Sequence, residues 1–404
     1  MRDVPYFFDT FPRSRRPEYS RHRGETETRI AIVGGGLTGC ACAAAFAAAD
    51  IPAVVLEADR IGKGATAAAA GVMRHDPDAS FRDAVGRHGV RSSRHVWQGF
   101  RRAALDFAAA LRRARVRADL GAQDLLWFSQ GSDGARLLQR EYQARREAGV
   151  ETSWLNARAV SAAASIDASG AIRSKADVLD PYGAAVGLAA YASARGARIH
   201  ERTTVRRIRP RRKHVELTTD GGVVIADAVL VASGSLIDDL RALRRHFAPS
   251  LSYAVVTGRL PAAVRRQLGY RAAALHDRHT PPHLLRWLGE DRALFAGAGQ
   301  KPIAPRLREK AVVPNALELM YELSTLYPAI SGVQPEWAWD AVTYGSPDGL
   351  PVIGPHRNFP RHLFALGFGQ HGPAASWLAA RVLLRAYLGE PAKGDEVFGF
   401  ARVL

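Results

Sequence analysis

The residues with the clearest chemical meaning lie near the start of the chain, in Gly34-Gly35-Gly36-Leu37-Thr38-Gly39. Just before them Arg29 to Val33 form a buried-strand pattern, and an Ala-rich helical pattern follows to Ala49. A second apolar run, Ala53 to Leu56, ends in Glu57, eighteen residues after Gly39. Each glycine in that spacing has a physical task. Gly34 permits a tight turn, Gly36 lets the backbone approach a pyrophosphate, and Gly39 lets helix and sheet pack closely. The helix N-terminus at Leu37 and Thr38 turns free N–H groups toward phosphate, and Glu57 accepts hydrogen bonds from a ribose diol. Strand, glycine turn, helix and a second strand ending in an acid predict a dinucleotide site.

Nicotinamide and flavin dinucleotides share this fingerprint, so the residues after Glu57 decide between them. They run from Ala58 through Gly64, Ala65, Thr66 and Ala70 to Gly71, with no bulky side chain between Ala65 and Gly71. Backbone of that kind passes close to a flat ring system. Here the chain resembles the D-amino-acid oxidase-like family of FAD enzymes, which includes glycine oxidase, sarcosine oxidase and gamma-glutamylputrescine oxidase. The resemblance implies FAD, lined by Ala58, Gly64, Ala65, Thr66, Ala70 and Gly71.

The resemblance continues along the chain. Val205 falls where the family's backbone meets the adenine, and Ala228 to Gly234 resembles the strand whose small-residue turn, here Ala232 and Gly234, lies near the cofactor. Asp348 to Pro355, then Gly367-Phe368-Gly369-Gln370-His371-Gly372 and a helix from about Pro373 to Leu388, resemble the last flavin-binding element. There the turn residues Gly367, Gly369, Gln370, His371 and Gly372 and the helix N-terminus would direct N–H groups at the flavin pyrimidine edge, which favours negative charge on the reduced ring. Ala341 and Ala68 stand where covalent-flavin relatives carry a linking Cys or His, so the FAD is expected to be non-covalent.

What the resemblance implies for activity is oxidation of a C–N bond in an amine or amino-acid-like metabolite, by hydride transfer to flavin N5 and hydrolysis of the imine. The catalytic candidates are Arg286, His371, Tyr344 and Tyr253. Arg286, in His283 to Leu288, resembles the arginine of a tyrosine-tyrosine-arginine stretch facing the flavin, and its planar fork suits a carboxylate. His371 would polarise substrate or flavin, the two tyrosines would offer pocket hydroxyls, and Trp337 and Trp339 an aromatic wall for a cationic amine. Trp339 to Pro347 lacks the Arg that amino-acid-oxidising relatives use, which disfavours a simple α-amino acid. Ala293 to Ala298 lacks the Lys that some oxidases place near the flavin, so the electron acceptor is oxygen or another molecule. A secondary amine or a gamma-glutamylated polyamine fits best.

These residues need a large scaffold to position them. The chain has 404 residues, 47% hydrophobic and 24% charged, which is globular composition with room for two or three structural domains. The expected architecture is α/β: a Rossmann-like FAD-binding domain of the glutathione-reductase type with a discontinuous α+β substrate domain built on a mixed sheet. The expected division is a lead-in at 1–28, an FAD-binding domain from 29–80, 150–236 and 340–404, and a substrate domain from 81–149 and 237–339. Tyr6, Phe7, Phe8 and Phe11 make the lead-in a packing segment over the active-site entrance. Long helical patterns fill Phe81 to Glu147, and Asp220-Gly221-Gly222 marks a hairpin.

Composition also narrows the partners. Cys40 and Cys42 alone make no disulfide framework and no cysteine zinc site, and no metal is expected. A formal charge of +17 raises a nucleic-acid partner. Yet only six of the 56 basic residues are Lys and Ala abounds, as GC-rich coding produces, so nucleic acid is disfavoured. Two alternatives stay open: a tRNA-modifying flavin oxidoreductase using the basic surface, and a flavin-binding protein without catalysis. The start has no apolar signal-peptide core, and the run from Cys40 to Leu56 is too short and too interrupted to span a bilayer. A cytoplasmic, soluble protein is expected.

Overall fold

The computed structural model describes residues 1–234, 238–279, 282–369 and 371–403. Two sheets organise them. The first, of eight strands, runs in the order Val352–His356, Phe359–Leu366, Gly222–Val231, Gly24–Val33, Ala53–Leu56, Arg198–His200, with Val215–Thr219 and Val205–Pro210 continuing from Gly222–Val231. Its centre is parallel, Gly24–Val33 lying between Ala53–Leu56 and Gly222–Val231. Buried on both faces, Ile30 to Val33 and Ala53 to Leu56 read as continuous apolar runs.

Gly24–Val33 starts five residues earlier than the apolar run Arg29 to Val33. The extra residues are mostly polar, and they are held in strand form by register with Gly222 to Ala226 on the neighbour. That neighbour starts at Gly222, six residues before the run Ala228 to Gly234 that the sequence marks. Helix Leu37–Ala47 is apolar all round, because helices Pro181–Ser193 and Gly372–Leu388 both pack against it. Cys40 and Cys42 are free thiols buried in it.

The ten-stranded sheet runs Arg2–Asp3, Pro335–Gly345, Ala248–Thr257, Arg292–Gln300, Leu284–Leu288, Ala273–His276, Gly121–Ser129, Gly170–Val178, Val72–Arg74, with Ser153–Asn156 beside Gly170–Val178. Most pairs are antiparallel, as expected of a mixed sheet. Helix Pro305–Leu326 covers one face and buries Val312, Ala316, Leu319, Met320 and Leu323. The partition of strands differs from the expected segmentation. Val72–Arg74, Ser153–Asn156 and Gly170–Val178, placed by sequence in the flavin-binding segments, hydrogen-bond into this sheet. The cause is Gly121–Ser129, which interrupts the long helical patterns after helix Phe81–Arg113 and pairs with Gly170–Val178 over its full length.

The lead-in ties the two sheets together. Arg2–Asp3 adds to Pro335–Gly345 beside Trp337, and Phe7 is buried. Tyr6 meets the Trp337 ring edge-on at 5.0 Å, and Phe8 and Phe11 both meet Tyr182 of helix Pro181–Ser193 at 5.2 Å. Among the described residues no helix is long and apolar enough to cross a membrane.

Candidate active site

One cavity of about 870 Å³ opens between the carboxyl ends of the parallel strands and a face of the ten-stranded sheet. In open α/β sheets that edge is where ligands bind. From the first sheet it is lined by Val33, Gly34, Leu56, Glu57, Ala232 and Leu366, the last residues of four strands or the first beyond them.

The turn after Gly24–Val33 is built for close approach. Gly34 has φ +106°, and a Cβ there would lie 2.8 Å from the Ala232 carbonyl oxygen. A Cβ on Gly39 would lie 1.8 Å from the Gly34 carbonyl oxygen, so helix and turn touch with no room for a side chain. Gly36 differs, because its absent Cβ faces only Thr66 Oγ1, at 3.2 Å, and otherwise opens into the cavity. Leu37 N–H donates to Thr66 Oγ1 at 2.8 Å, fastening the small-residue loop to the helix start. Glu57 is fixed from both sides, accepting from Gly35 N–H at 2.6 Å and Asp59 N–H at 2.8 Å, and burial pushes its carboxyl pKa up. Two helix N-termini border the cavity: Gly36, Leu37 and Thr38 at one, Gly372, Pro373 and Ser376 at the other, joined by a 2.9 Å Thr38–Ser376 hydroxyl contact.

The opposite wall is flat and uncharged. Ser252 pairs with Ala341, and Ala254 with both Trp339 and Ala296, so these side chains share one face of the sheet, which Leu284 extends. All six line the cavity. Trp339 donates its indole N–H to the Ala68 carbonyl at 3.0 Å, so it anchors the small-residue loop as well as walling the cavity. Trp337 does not line it. Its ring is taken up by Tyr6 and by the guanidinium groups of Arg2 and Arg292, at 5.1 and 4.8 Å.

Of the residues chosen from sequence, Gly34, Gly36, Leu37, Thr38, Glu57, Ala58, Gly64, Ala65, Thr66, Ala70, Gly71, Val205, Ala232, Gly234, Gly367, Gly369 and Gly372 all line this cavity. Gly39 stands behind it, in the packing contact with Gly34. Gln370 lies outside the described residues. Tyr344 and Tyr253 line the cavity too. The Tyr253 hydroxyl oxygen accepts from Gln300 Nε2 at 2.8 Å and burial raises its pKa, but the side chain alternates with Ser252 and Ala254 and packs with Leu251 and Val255 in the core on the helix-covered face.

Arg286 and His371 are placed otherwise. Arg286 is buried, and its Nη1 donates to the carbonyls of Leu179 at 2.7 Å and of Ala70 and Gly71 at 3.0 Å each. It stacks over Phe7 and does not line the cavity, because the backbone behind the small-residue loop has claimed it. Burial pushes its pKa down to about 10. His371 is likewise turned away from the cavity: Nδ1 accepts from Asp78 N–H at 3.1 Å, and Nε2 bonds the Gly349 carbonyl. Burial lowers its pKa, and with Nδ1 accepting and Nε2 donating it is a neutral, fully partnered ring.

Arg308 is the charged residue that the sequence did not single out. It stands on the first turn of helix Pro305–Leu326, lines the cavity, and holds Asp340 through Nε. Nothing marked it among so many arginines. Among the described residues the charged side chains lining the cavity are Glu57, Arg60 and Lys63 on the first-sheet side and Arg308 on the other.

The dimensions and chemistry of this cavity fit a flavin dinucleotide. Gly36 opens into the cavity at a helix N-terminus, Glu57 lines it at the end of Ala53–Leu56, and a flat face of mostly small side chains lies opposite the small-residue loop. Comparison with known proteins agrees. The family model described as FAD dependent oxidoreductase, DAO, matches residues 29–386. Gamma-glutamylputrescine oxidoreductase of Escherichia coli (strain K12) is 23% identical over 373 residues, 91% of this chain and 85% of that protein. Glycine oxidase of Bacillus subtilis (strain 168) is 26% identical over 348 residues, 84% of this chain and 88% of that protein. Among solved structures, glycine oxidase from Geobacillus kaustophilus superposes with a TM-score of 0.75 at 21% identity, covering 93% of this chain and 98% of that one.

Proposed function

From the premise that this chain belongs to the DAO family of FAD-dependent oxidoreductases, enzymes acting on amines or amino acids, we propose that it oxidises the C–N bond of an amine that also carries a carboxylate. When bound, FAD supplies the two-electron acceptor that takes a hydride from the carbon beside the nitrogen, and the resulting imine is hydrolysed. Everything else falls to the chain. The Gly34–Gly39 turn and its helix would hold the pyrophosphate, Glu57 the ribose, and the N-terminus of Gly372–Leu388 would stabilise negative charge where the electrons arrive. With Ala68 and Ala341 in the lining and Cys40 and Cys42 buried in helix Leu37–Ala47, the flavin would be held without a covalent bond.

The observation that carries the substrate reading is Arg308, the charged residue that lines the cavity on the side of the ten-stranded sheet among the described residues. Its Nε is paired with Asp340, which alternates with Trp339 and Ala341, so it reaches the cavity from the helix-covered side of the sheet, while the facing wall of Ser252, Ala254, Ala296, Ala341 and Leu284 holds no charge. A carboxylate anchored on Arg308 would lay the amine across that wall. Poor solvation there favours the neutral amine, whose lone pair is what hydride loss requires. The stretch Trp339 to Pro347 holds no Arg, in keeping with a substrate longer than a simple α-amino acid, such as a gamma-glutamylated polyamine.

The test is anaerobic bleaching of the flavin absorption with paired compounds, each amine with and without its carboxylate. Carboxylate-bearing secondary amines and polyamine conjugates should bleach the flavin, and Arg308→Met should raise their KM about 10- to 100-fold without loss of FAD. Equal bleaching by the uncharged partners would refute the anchoring role. Readmitting air separates oxygen from another electron acceptor.

A further inference from the structure

Away from the cavity lining, one cluster of side chains combines metal-ligand chemistry with a supporting frame. We propose that Asp277, His279 and His283 form a site for a divalent transition-metal ion of the Zn²⁺ class. Their donor atoms lie within 4.8 Å of one another, in the spacing Asp-x-His-x-x-x-His.

The frame is what separates this set from a chance grouping. Asp277 Oδ1 is held by two backbone N–H groups, those of His279 at 3.0 Å and His283 at 2.8 Å, so the carboxylate cannot turn. Its Oδ2 then faces both rings, 2.7 Å from His283 Nδ1 and 3.9 Å from His279 Nε2. The His283 ring is fixed from three sides. Its Nε2 lies 2.9 Å from Glu322 Oε2 on helix Pro305–Leu326, and its plane stacks on Phe295 at 5.2 Å and 20°. Position 297 must be glycine, because a Cβ there would lie 2.1 Å from His283 Cδ2. A histidine that donates one nitrogen to a carboxylate and aims the other at further donors is the arrangement found around metal-ligating imidazoles.

The donor set selects the ion. Two imidazoles and one carboxylate suit Zn²⁺, Co²⁺ or Ni²⁺, whereas Mg²⁺ and Ca²⁺ prefer oxygen throughout. Tetrahedral bonds of about 2.0–2.2 Å put donors about 3.3 Å apart, between the two distances seen here. The ring that must rotate to close that gap is His279, which is 63% exposed and leaves a position open to water. Binding replaces the proton between His283 Nδ1 and Asp277 Oδ2 with the metal, the proton passing to solvent or to Nε2, which lies 2.9 Å from Glu322 Oε2. Counting cysteines could not reach a site of this kind, which is why none was expected from the composition. Its consequence is local: Pro282 and Leu284, on either side of His283, line the cavity, so an occupied site would fasten that rim to the helix carrying Arg308.

The experiment uses the untagged, flavin-loaded protein, stripped with EDTA, desalted and titrated with ZnCl₂ against a chromogenic chelator, with bound metal counted by mass spectrometry. One zinc per chain is expected. His279→Ala should weaken binding at least tenfold, and because that ring is exposed its loss leaves the fold intact. Asp277→Asn should do the same, Glu322→Leu should weaken binding about 10- to 100-fold, and Glu322→Gln, which keeps an oxygen acceptor beside Nε2, should retain most of it. A wild-type protein that holds less than one zinc, or a His279→Ala protein that binds as tightly, would overturn the assignment. Neither outcome depends on turnover or on the identity of the amine.

Discussion

Replacing Arg286 by Met separates two roles that predict different kinetics. If Arg286 is a backbone clamp, the substitution strikes the cofactor; if it is a carboxylate anchor, it strikes the substrate. Three hydrogen bonds from one buried cation, to Ala70, Gly71 and Leu179, contribute about 6 kcal/mol at roughly 2 kcal/mol each. Burial works against them: a guanidinium pKa lowered from 12.5 to about 10 corresponds to roughly 3 kcal/mol. The net effect is about 3 kcal/mol, and it falls on the loop from Gly64 to Gly71 that lines the cavity. Methionine fills the apolar space over Phe7 but leaves the Ala70 and Leu179 carbonyls without this donor, while Gly71 keeps the Leu179 N–H at 2.9 Å. If all of it appears in cofactor affinity, the Kd for FAD rises about 100-fold. Reconstituting apoprotein with FAD, followed by flavin fluorescence, measures that Kd, and steady-state kinetics at saturating FAD should show KM changed less than about threefold. An unchanged Kd with a KM raised for carboxylate substrates would refute the clamp and restore Arg286 as the anchor.

Two glycines of the same turn should fail differently. Gly39→Ala drives a Cβ to 1.8 Å from a backbone oxygen, so it should destabilise the apoprotein by more than about 3 kcal/mol in urea unfolding. Gly36→Ala meets only Thr66 Oγ1, so its apoprotein should melt within about 1 kcal/mol of wild type yet bind FAD at least 100-fold more weakly. Matching losses of fold in both variants would contradict the assignment of Gly36 to the pyrophosphate. Asp180 supplies a pH test. Its carboxylate caps helix Pro181–Ser193 through Gly183 N–H, but burial and then Asp119 push its pKa from 3.8 up to about 6. The folded state therefore holds a proton that the unfolded chain has lost, so stability from this group is greatest below pH 4, falls as pH rises to about 6, and is flat above. Asp180→Asn keeps the cap without the charge. It should match wild type near pH 4 and exceed it by about 2 kcal/mol at pH 7, measured by chemical unfolding across that range. A stability difference that does not change with pH would exclude Asp180 as its source.

How much could be read from sequence depended on whether backbone or side chains did the work. The turn from Gly34 to Gly39 was legible because close backbone approaches at Gly34 and Gly39 exclude a Cβ at fixed spacing, whatever surrounds them, and Gly36 between them opens into the cavity. Glu57 was legible because a strand of set length carries it to the same edge. Gly121–Ser129 was not, since Asp124, Leu125, Leu126 and Trp127 make no strict alternation, and what holds the strand is Gly170–Val178, more than forty residues on. His371 looked reactive because a histidine beside glycines suggests an open turn. The partners that neutralise it, Asp78 and Gly349, come from distant segments that no local pattern reveals.

The same division explains why the cofactor is easier to infer than the substrate. FAD is long and chemically the same in every enzyme, so the chain meets it with constraints on main-chain geometry, and those constraints leave few residue choices. In the proposed reading the amine would be met by side chains presented from the ten-stranded sheet and from helix Pro305–Leu326, where the backbone accepts almost any residue. Ser252, Ala254, Ala296 and Ala341 are ordinary strand residues until strand pairing lays them on one face. Arg308 is one exposed-patterned arginine among many until the helix start brings it to the cavity. Specificity can then change by single substitutions on that wall while the flavin turn stays fixed, so relatives below 30% identity can share the cofactor site and differ in what they oxidise. It follows that substrate assignment for this chain has to rest on Arg308 and the wall beside it, and cannot be carried over from the glycine pattern that identifies the family.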